Sequence, residues 1–241
     1  MKEKFDELVR RLVQAHRDEL TAVILHGSVV VTGKSARPSD YRVLVVCSAL
    51  PVEALRQAQP VARWWVDLGF QLPVWFTLAE FNDSLDVFPI EFRQMKRAYR
   101  VLYGRDLLKD AEVSAAHLRW QLEHELRGKL LRLRGLYLPA RESAESLMKL
   151  MTDSVITFIH YFRPMLEMLG EEAPLDRREV TERIGARLNF DTAPLERVLR
   201  LRNEPVRLLE PEAEDLFADY LNCLTRVITA IDRIGSGAGN H

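Results

Sequence analysis

Residues 23–46, VILHGSVVVTGKSARPSDYRVLVV, hold the side chains best placed to do chemistry, between two apolar runs. Val23 to Leu25 runs into Gly27 and Ser28, and a polar loop leads to Asp40, from which a second run of β-formers, Tyr41 to Val46, departs. Two buried strands bracketing a glycine-bearing turn present polar groups at one edge of a sheet, an arrangement suited to receiving phosphate. Side chains alternate along a strand, so Asp40 and Arg42 share a face. A carboxylate and a permanent cation therefore stand side by side there.

The pattern resembles the signature of the DNA polymerase β-like nucleotidyltransferase superfamily, in which an apolar strand runs into Gly-Ser and an Asp-x-Asp pair opens the next strand. Gly27, Ser28 and Asp40 match, and Arg42 stands where the second Asp is expected. The resemblance implies that Gly27 lets the backbone approach phosphate oxygens, while Ser28 offers its hydroxyl and amide to them. In active members the two carboxylates face one way and bridge divalent cations. Arg42 removes one such ligand and adds a charge that cannot be titrated away. Two unit charges ~4 Å apart at an effective dielectric of ~20 interact by roughly 4 kcal/mol, more against a divalent ion. Two-metal chemistry is not expected on this reading. The family's third carboxylate belongs on the third strand, here QLPVWFT (71–77), which has none and carries Pro73. A proline inside a strand also points to a sheet edge or a bulge.

Farther on, FPIEF (88–92) and RVLYG (100–104) resemble the end of the catalytic domain of bacterial aminoglycoside-type nucleotidyltransferases. Glu91 is the acidic residue of that apolar block, either a displaced metal ligand, a general base or an Arg42 partner, or simply a salt bridge to Arg93 or Lys96. The resembling two-domain enzymes close their cleft with a helical half that presents a cation to the triphosphate. Arg127, Lys129, Arg132, Arg134 and Lys149 are the candidates, with Lys149 first because its neighbours are apolar; a solvated helix face is the plainer reading. Arg119 to His124 has the Arg-x-x-x-x-His spacing of RNA-cutting helical domains, a pattern common by chance. Arg202-Asn203 begins like that motif, but Arg207 stands where the histidine would act and cannot serve as a base. The six histidines show no ligand spacing; His26, directly before Gly27, is either placed to meet a ligand or, the plainer reading, a strand-end histidine with its hydrogen bonds met.

The elements that must position these residues follow from periodicity. Phe5, Leu8, Val9, Leu12 and Val13 mark an amphipathic helix over 3–19 that feeds the first strand. The resemblance asks for a short helix at VVVTG (29–33) despite its β-branched residues. Residues 51–67 read as a crossover helix with Trp65 on its apolar stripe, and Trp64 is left open between packing and stacking. From about 112 the pattern is all helical: one helix over 113–135 ended by Gly135, a second over 142–169 broken at Pro164, then 176–188, 195–201 and 211–234, together a bundle.

The 241 residues, 47% apolar, are ample for a core, and 34 basic against 35 acidic residues leave a formal charge of −1. No global pull toward nucleic acid or anionic membrane results. Cys47 and Cys223, far apart in apolar segments, read as buried free thiols. The charged N-terminal stretch has no apolar core, and no long apolar run occurs. A cytoplasmic protein is expected.

The expected architecture is α+β: a mixed-sheet domain of the nucleotidyltransferase type over 1–110, an all-α bundle over 111–234 covering the cleft, and a flexible tail over 235–241. The leading reading is a catalytically impaired member that binds a nucleotide, ATP or GTP, or another small phosphate-bearing ligand through Gly27, Ser28, Arg42 and Lys149. A second is an active enzyme in which Asp40 and Glu91 hold Mg²⁺ and a nucleotidyl group goes to a small hydroxyl-bearing acceptor. A third is an interaction module with a vestigial cleft. Neither membrane nor nucleic acid is an expected partner.

Overall fold

The computed structural model describes residues 1–27, 29–32, 37–174 and 176–236. The chain divides into two compact units, Met1–Ser114 and Ala115–His241.

In the first unit, α1 (Lys2–His16) leads through a 3-10 turn into β1 (Leu20–His26). A short α2 (Val29–Thr32) follows, where the three valines turn helical as the resemblance required. A second 3-10 turn, Pro38–Asp40, opens β2 (Arg42–Cys47), and α3 (Val52–Asp67) carries the chain to β3 (Val74–Thr77). Next come α4 (Leu78–Asp83), α5 (Pro89–Arg97), β4 (Tyr99–Gly104) and α6 (Leu107–Asp110). Among the described residues the strands form one sheet in the order β3-β2-β1-β4. β1 runs antiparallel to β2 and β4, and β3 parallel to β2.

Both central strands are continuous apolar runs because both sheet faces are covered. Phe5, Leu8 and Leu12 of α1, with Val61 and Trp65 of α3, pack on Val23, Leu25, Val43 and Val45. Trp65 is fully buried and stacks on Phe70, ring centroids 3.7 Å apart. On the other face Ala22, Ile24, Leu44 and Val46 meet Phe81, Phe92, Leu107 and Leu108 from α4, α5 and α6. The third strand is shorter than the expected 71–77: it begins at Val74, after a proline that offers no N–H to a ladder, and it lies at the sheet edge. FPIEF is a helix start, with Phe88 as the N-cap and Pro89 in the first turn of α5. β4 closes against β1 through Gly104, whose φ of +74° and whose missing Cβ, which would lie 2.0 Å from the Thr21 carbonyl oxygen, leave room for glycine alone.

The second unit is helical among the described residues: α7 (Ala115–Ala140), α8 (Ala144–Ile159), α9 (Phe162–Met168), α10 (Arg177–Leu188), α11 (Ala193–Asn203) and α12 (Glu210–Ser236). α7 packs on α8 and α12, and α11 on α8. Gly135 does not end α7. A helical glycine costs only about 1 kcal/mol, and the turn beyond it is held by Tyr137, which stacks on Phe217 at 4.5 Å and donates to Glu214 at 2.8 Å. The break expected at Pro164 falls earlier, at His160 and Tyr161. Proline lacks the N–H that would reach the carbonyl four residues back, here that of His160, and its ring crowds that carbonyl. The tail beyond Ser236 lies outside the described residues. The fold is an α+β domain followed by a helical bundle.

Candidate functional site

The site is built where β1 stops and β2 starts. Gly27 closes β1 by donating its N–H to the Ala98 carbonyl at 2.9 Å, and its own carbonyl accepts from Val30 at 2.9 Å to begin α2. Its φ of +117° is a glycine conformation, and a Cβ there would lie 3.4 Å from the Asp40 carbonyl oxygen. The turn and the acidic residue, thirteen positions apart, are thus backbone neighbours. Ser28 lies outside the described residues.

Asp40 is exposed, and its Oδ2 accepts the Arg37 N–H at 2.8 Å, which fastens the 3-10 turn. Tyr41 packs edge-on against Phe5, ring centroids 5.3 Å apart, on the α1/α3 face. Alternation then sends Arg42 to the opposite face, in line with Leu44 and Val46. Arg42 is exposed and makes no ion pair among the described residues.

The register sets Arg42 opposite His26, and His26 opposite Tyr99 of β4. The three form a row across β2, β1 and β4. His26 is 6% exposed, and its Nε2 has no hydrogen-bond partner among the described residues. Burial, and then the charge of Arg42, pushes its pKa down to about 4, so the ring is neutral at ordinary pH. This departs from the expected strand-end histidine with its bonds met. Tyr99 donates its hydroxyl to Asp106 Oδ2 at 3.1 Å, and its pKa is raised by burial and by that carboxylate. The row offers a guanidinium, a neutral imidazole and a phenol, a set that meets anionic oxygens better than it meets a metal ion.

Glu91 sits in the first turn of α5, exposed, on a helix packed against the same sheet face as Arg42. Of its two expected salt-bridge partners, Lys96 reaches the backbone carbonyls of Lys109 and Ala111. Lys149 is exposed on α8 of the helical unit. In the basic stretch of α7, Arg127 and Lys129 pair with Glu123 and Glu125 four residues earlier, so these two are part of a solvated ion-paired face. Arg119 is likewise bonded to Glu123, at 3.0 Å. Trp64 lies under the Arg11 guanidinium, 4.3 Å from the ring centroid, and serves packing.

A magnesium ion does not fit these residues. Among the described residues no three of Asp, Glu, His and Cys are grouped to hold a metal. β3 carries no acidic residue, and Asp40 does not share a strand face with Arg42 as expected, because it ends the 3-10 turn Pro38–Asp40 and β2 begins only at Arg42. The sequence singled out His26, directly before the glycine of the turn, but not Tyr99 and Asp106, which only the pairing of β4 with β1 brings beside it.

No family model matches the chain, and no curated protein matches it. Among solved structures it is similar to the spectinomycin adenyltransferase AAD(9) from Enterococcus faecialis, solved with ATP and spectinomycin. The similarity has a TM-score of 0.51 at 14% identity and covers 96% of this chain and 99% of that one. A nucleotidyltransferase-like protein from Exiguobacterium sibiricum 255-15 aligns with 93% of this chain and 74% of its own at 12% identity, TM-score 0.42. The architecture built above, a mixed-sheet domain followed by a helical bundle, is thus the nucleotidyltransferase fold.

Proposed function

We propose that this protein binds a nucleotide, or another phosphate-bearing ligand, at the Gly27 turn, with Arg42 supplying the positive charge that magnesium supplies in active nucleotidyltransferases. It is then impaired in nucleotidyl transfer. The observation that carries the reading is Arg42, exposed and without an ion pair among the described residues, one strand pairing away from the glycine that approaches Asp40. A fixed guanidinium donates to phosphate oxygens in a fork and needs no carboxylate cage. Asp40, with one oxygen engaged by the Arg37 amide, shapes the turn more than it binds. AAD(9) was solved with ATP, which makes ATP the first ligand to test.

Calorimetry of ATP and GTP, first with Mg²⁺ and then with EDTA, tests the proposal. Binding survives EDTA and falls at least tenfold in Arg42→Ala, while Lys149→Ala reports on the second candidate cation. Strict dependence on Mg²⁺ would remove the Arg42 assignment. In that event the competing reading, an enzyme using Asp40 and Glu91 on a small hydroxyl-bearing acceptor, gains ground. It is read by transfer of labelled nucleotide that is lost in Asp40→Ala and Glu91→Ala. An interaction module predicts no thermal shift with any nucleotide.

A further inference from the structure

The helical unit contains a groove of about 580 Å³ between α8, α10 and α11. Four arginines line it, Arg177 and Arg178 from the first turn of α10 and Arg200 and Arg202 from the end of α11, against two carboxylates, Asp176 and Glu196. The lining therefore carries a net charge of 4 − 2 = +2 on a chain whose formal charge is −1.

The two carboxylates are already engaged. Asp176 Oδ1 caps α10 by accepting from the Arg178 and Glu179 amides at 2.9 and 3.0 Å, and Glu196 Oε1 accepts from the Thr192 hydroxyl at 2.7 Å. Two of the arginines are engaged as well. Arg178 bonds Glu182 at 2.9 Å, and Arg202 bonds the Thr152 carbonyl at 2.8 Å. Arg177 and Arg200 are exposed and have no acidic partner among the described residues. Other arginines of the unit are paired with carboxylates, as in Arg141–Glu214, Arg183–Glu179 and Arg187–Glu171. Two guanidiniums on one groove, without a carboxylate partner among the described residues, supply donors that an anion can share. Ile156 and Leu199 add an apolar wall, and Asn203 a neutral amide. The volume falls within the range of small-molecule sites.

We infer that this groove is a second, metal-independent anion site, taking a small molecule that carries two or more phosphate oxygens beside a flat or apolar part, such as a nucleoside diphosphate. All its lining residues belong to the helical unit, and none comes from the Gly27 turn.

The test is calorimetry of the full chain with ADP and with pyrophosphate, in EDTA, on four proteins: the parent, Arg177→Ala/Arg200→Ala, Arg42→Ala and Arg197→Ala. Arg197 is an exposed arginine of α11 outside the groove lining and controls for bulk charge. The double variant is expected to lose ADP and pyrophosphate binding at this site at least tenfold, with Arg42→Ala and Arg197→Ala leaving it intact. ADP binding tighter than pyrophosphate identifies the apolar wall as part of the site, and equal binding identifies a phosphate site alone. The inference is overturned if the double variant matches the parent or Arg197→Ala, or if a single event disappears equally in the double variant and in Arg42→Ala. It is also overturned if an oligoribonucleotide binds through Arg177 and Arg200 while ADP and pyrophosphate do not. If ATP binding is unchanged in Arg42→Ala while the double variant loses ADP and pyrophosphate binding, the reading of the Gly27 turn fails and this one stands.

Discussion

Lowering the pH is expected to destabilise the protein through His26. Its folded pKa is about 4, against 6.5 for an ordinary histidine, chiefly because the ring is buried and secondarily because Arg42 lies beside it. Above pH 6.5 the ring is neutral in both the folded and the unfolded chain, and this group makes no difference. As the pH falls below 6.5 the unfolded chain takes up a proton that the folded chain refuses, so stability declines until both forms are protonated near pH 4. The full shift of about 2.5 units corresponds to roughly 3 kcal/mol, of which about 2 kcal/mol is lost between pH 7.5 and pH 5. His16, also buried and lowered by burial, pulls in the same direction, so the comparison must be made with a variant at His26 itself. His26→Leu removes the titrating ring and the unpartnered Nε2 together, and replacing an unmet polar atom by an apolar one of similar size is near neutral at pH 7.5. Denaturant unfolding followed by tryptophan fluorescence, at pH 7.5 and at pH 5, should show the parent losing about 2 kcal/mol more than the variant. In the parent, proton NMR should show the His26 ring titrating well below 5. A His26 titration near 6.5, or the same pH dependence in both proteins, would refute the reasoning.

Two further outcomes are expected. Arg42→Asp places a second carboxylate two residues after Asp40 and removes the cation, so calorimetry should show Mg²⁺ or Mn²⁺ binding gained and ATP binding made metal-dependent, with His26 titrating closer to its ordinary range. Unchanged metal affinity would mean that the strand pair is not where an ion is held. Gly104→Ala forces a Cβ to within 2.0 Å of the Thr21 carbonyl oxygen at a φ of +74°, so β4 must shift away from β1. Thermal unfolding should show a loss on the order of 2–4 kcal/mol, whereas Gly128→Ala, at a helical glycine with open space around it, should be neutral or stabilising by up to about 1 kcal/mol.

Much of this could be read from the residues because it depends on neighbours along the chain. Apolar runs over Val23–Leu25 and Val43–Val46 can be satisfied only by strands covered on both faces, and the spacing of Phe5, Leu8 and Leu12 only by a helix packed on one of them. Trp65 and the leucine stripe of α7 followed from the same periodicity. The strand alternation that places Arg42 on the face away from Tyr41 is likewise local.

What the residues alone could not decide is whatever depends on segments that meet only after folding. Gly135 reads as a helix end, yet Tyr137 is held by Phe217 and Glu214, about eighty residues away, and α7 continues. The neutral state of His26 arises because the layers packed around it remove water and β2 brings Arg42 beside it, so desolvation sets a charge that composition assigns differently. Arg177 and Arg200 are two ordinary surface cations in sequence, and only the packing of α10 on α11 makes them walls of one groove. Periodicity is a property of consecutive residues, whereas charge state and concavity are properties of the distances between remote ones.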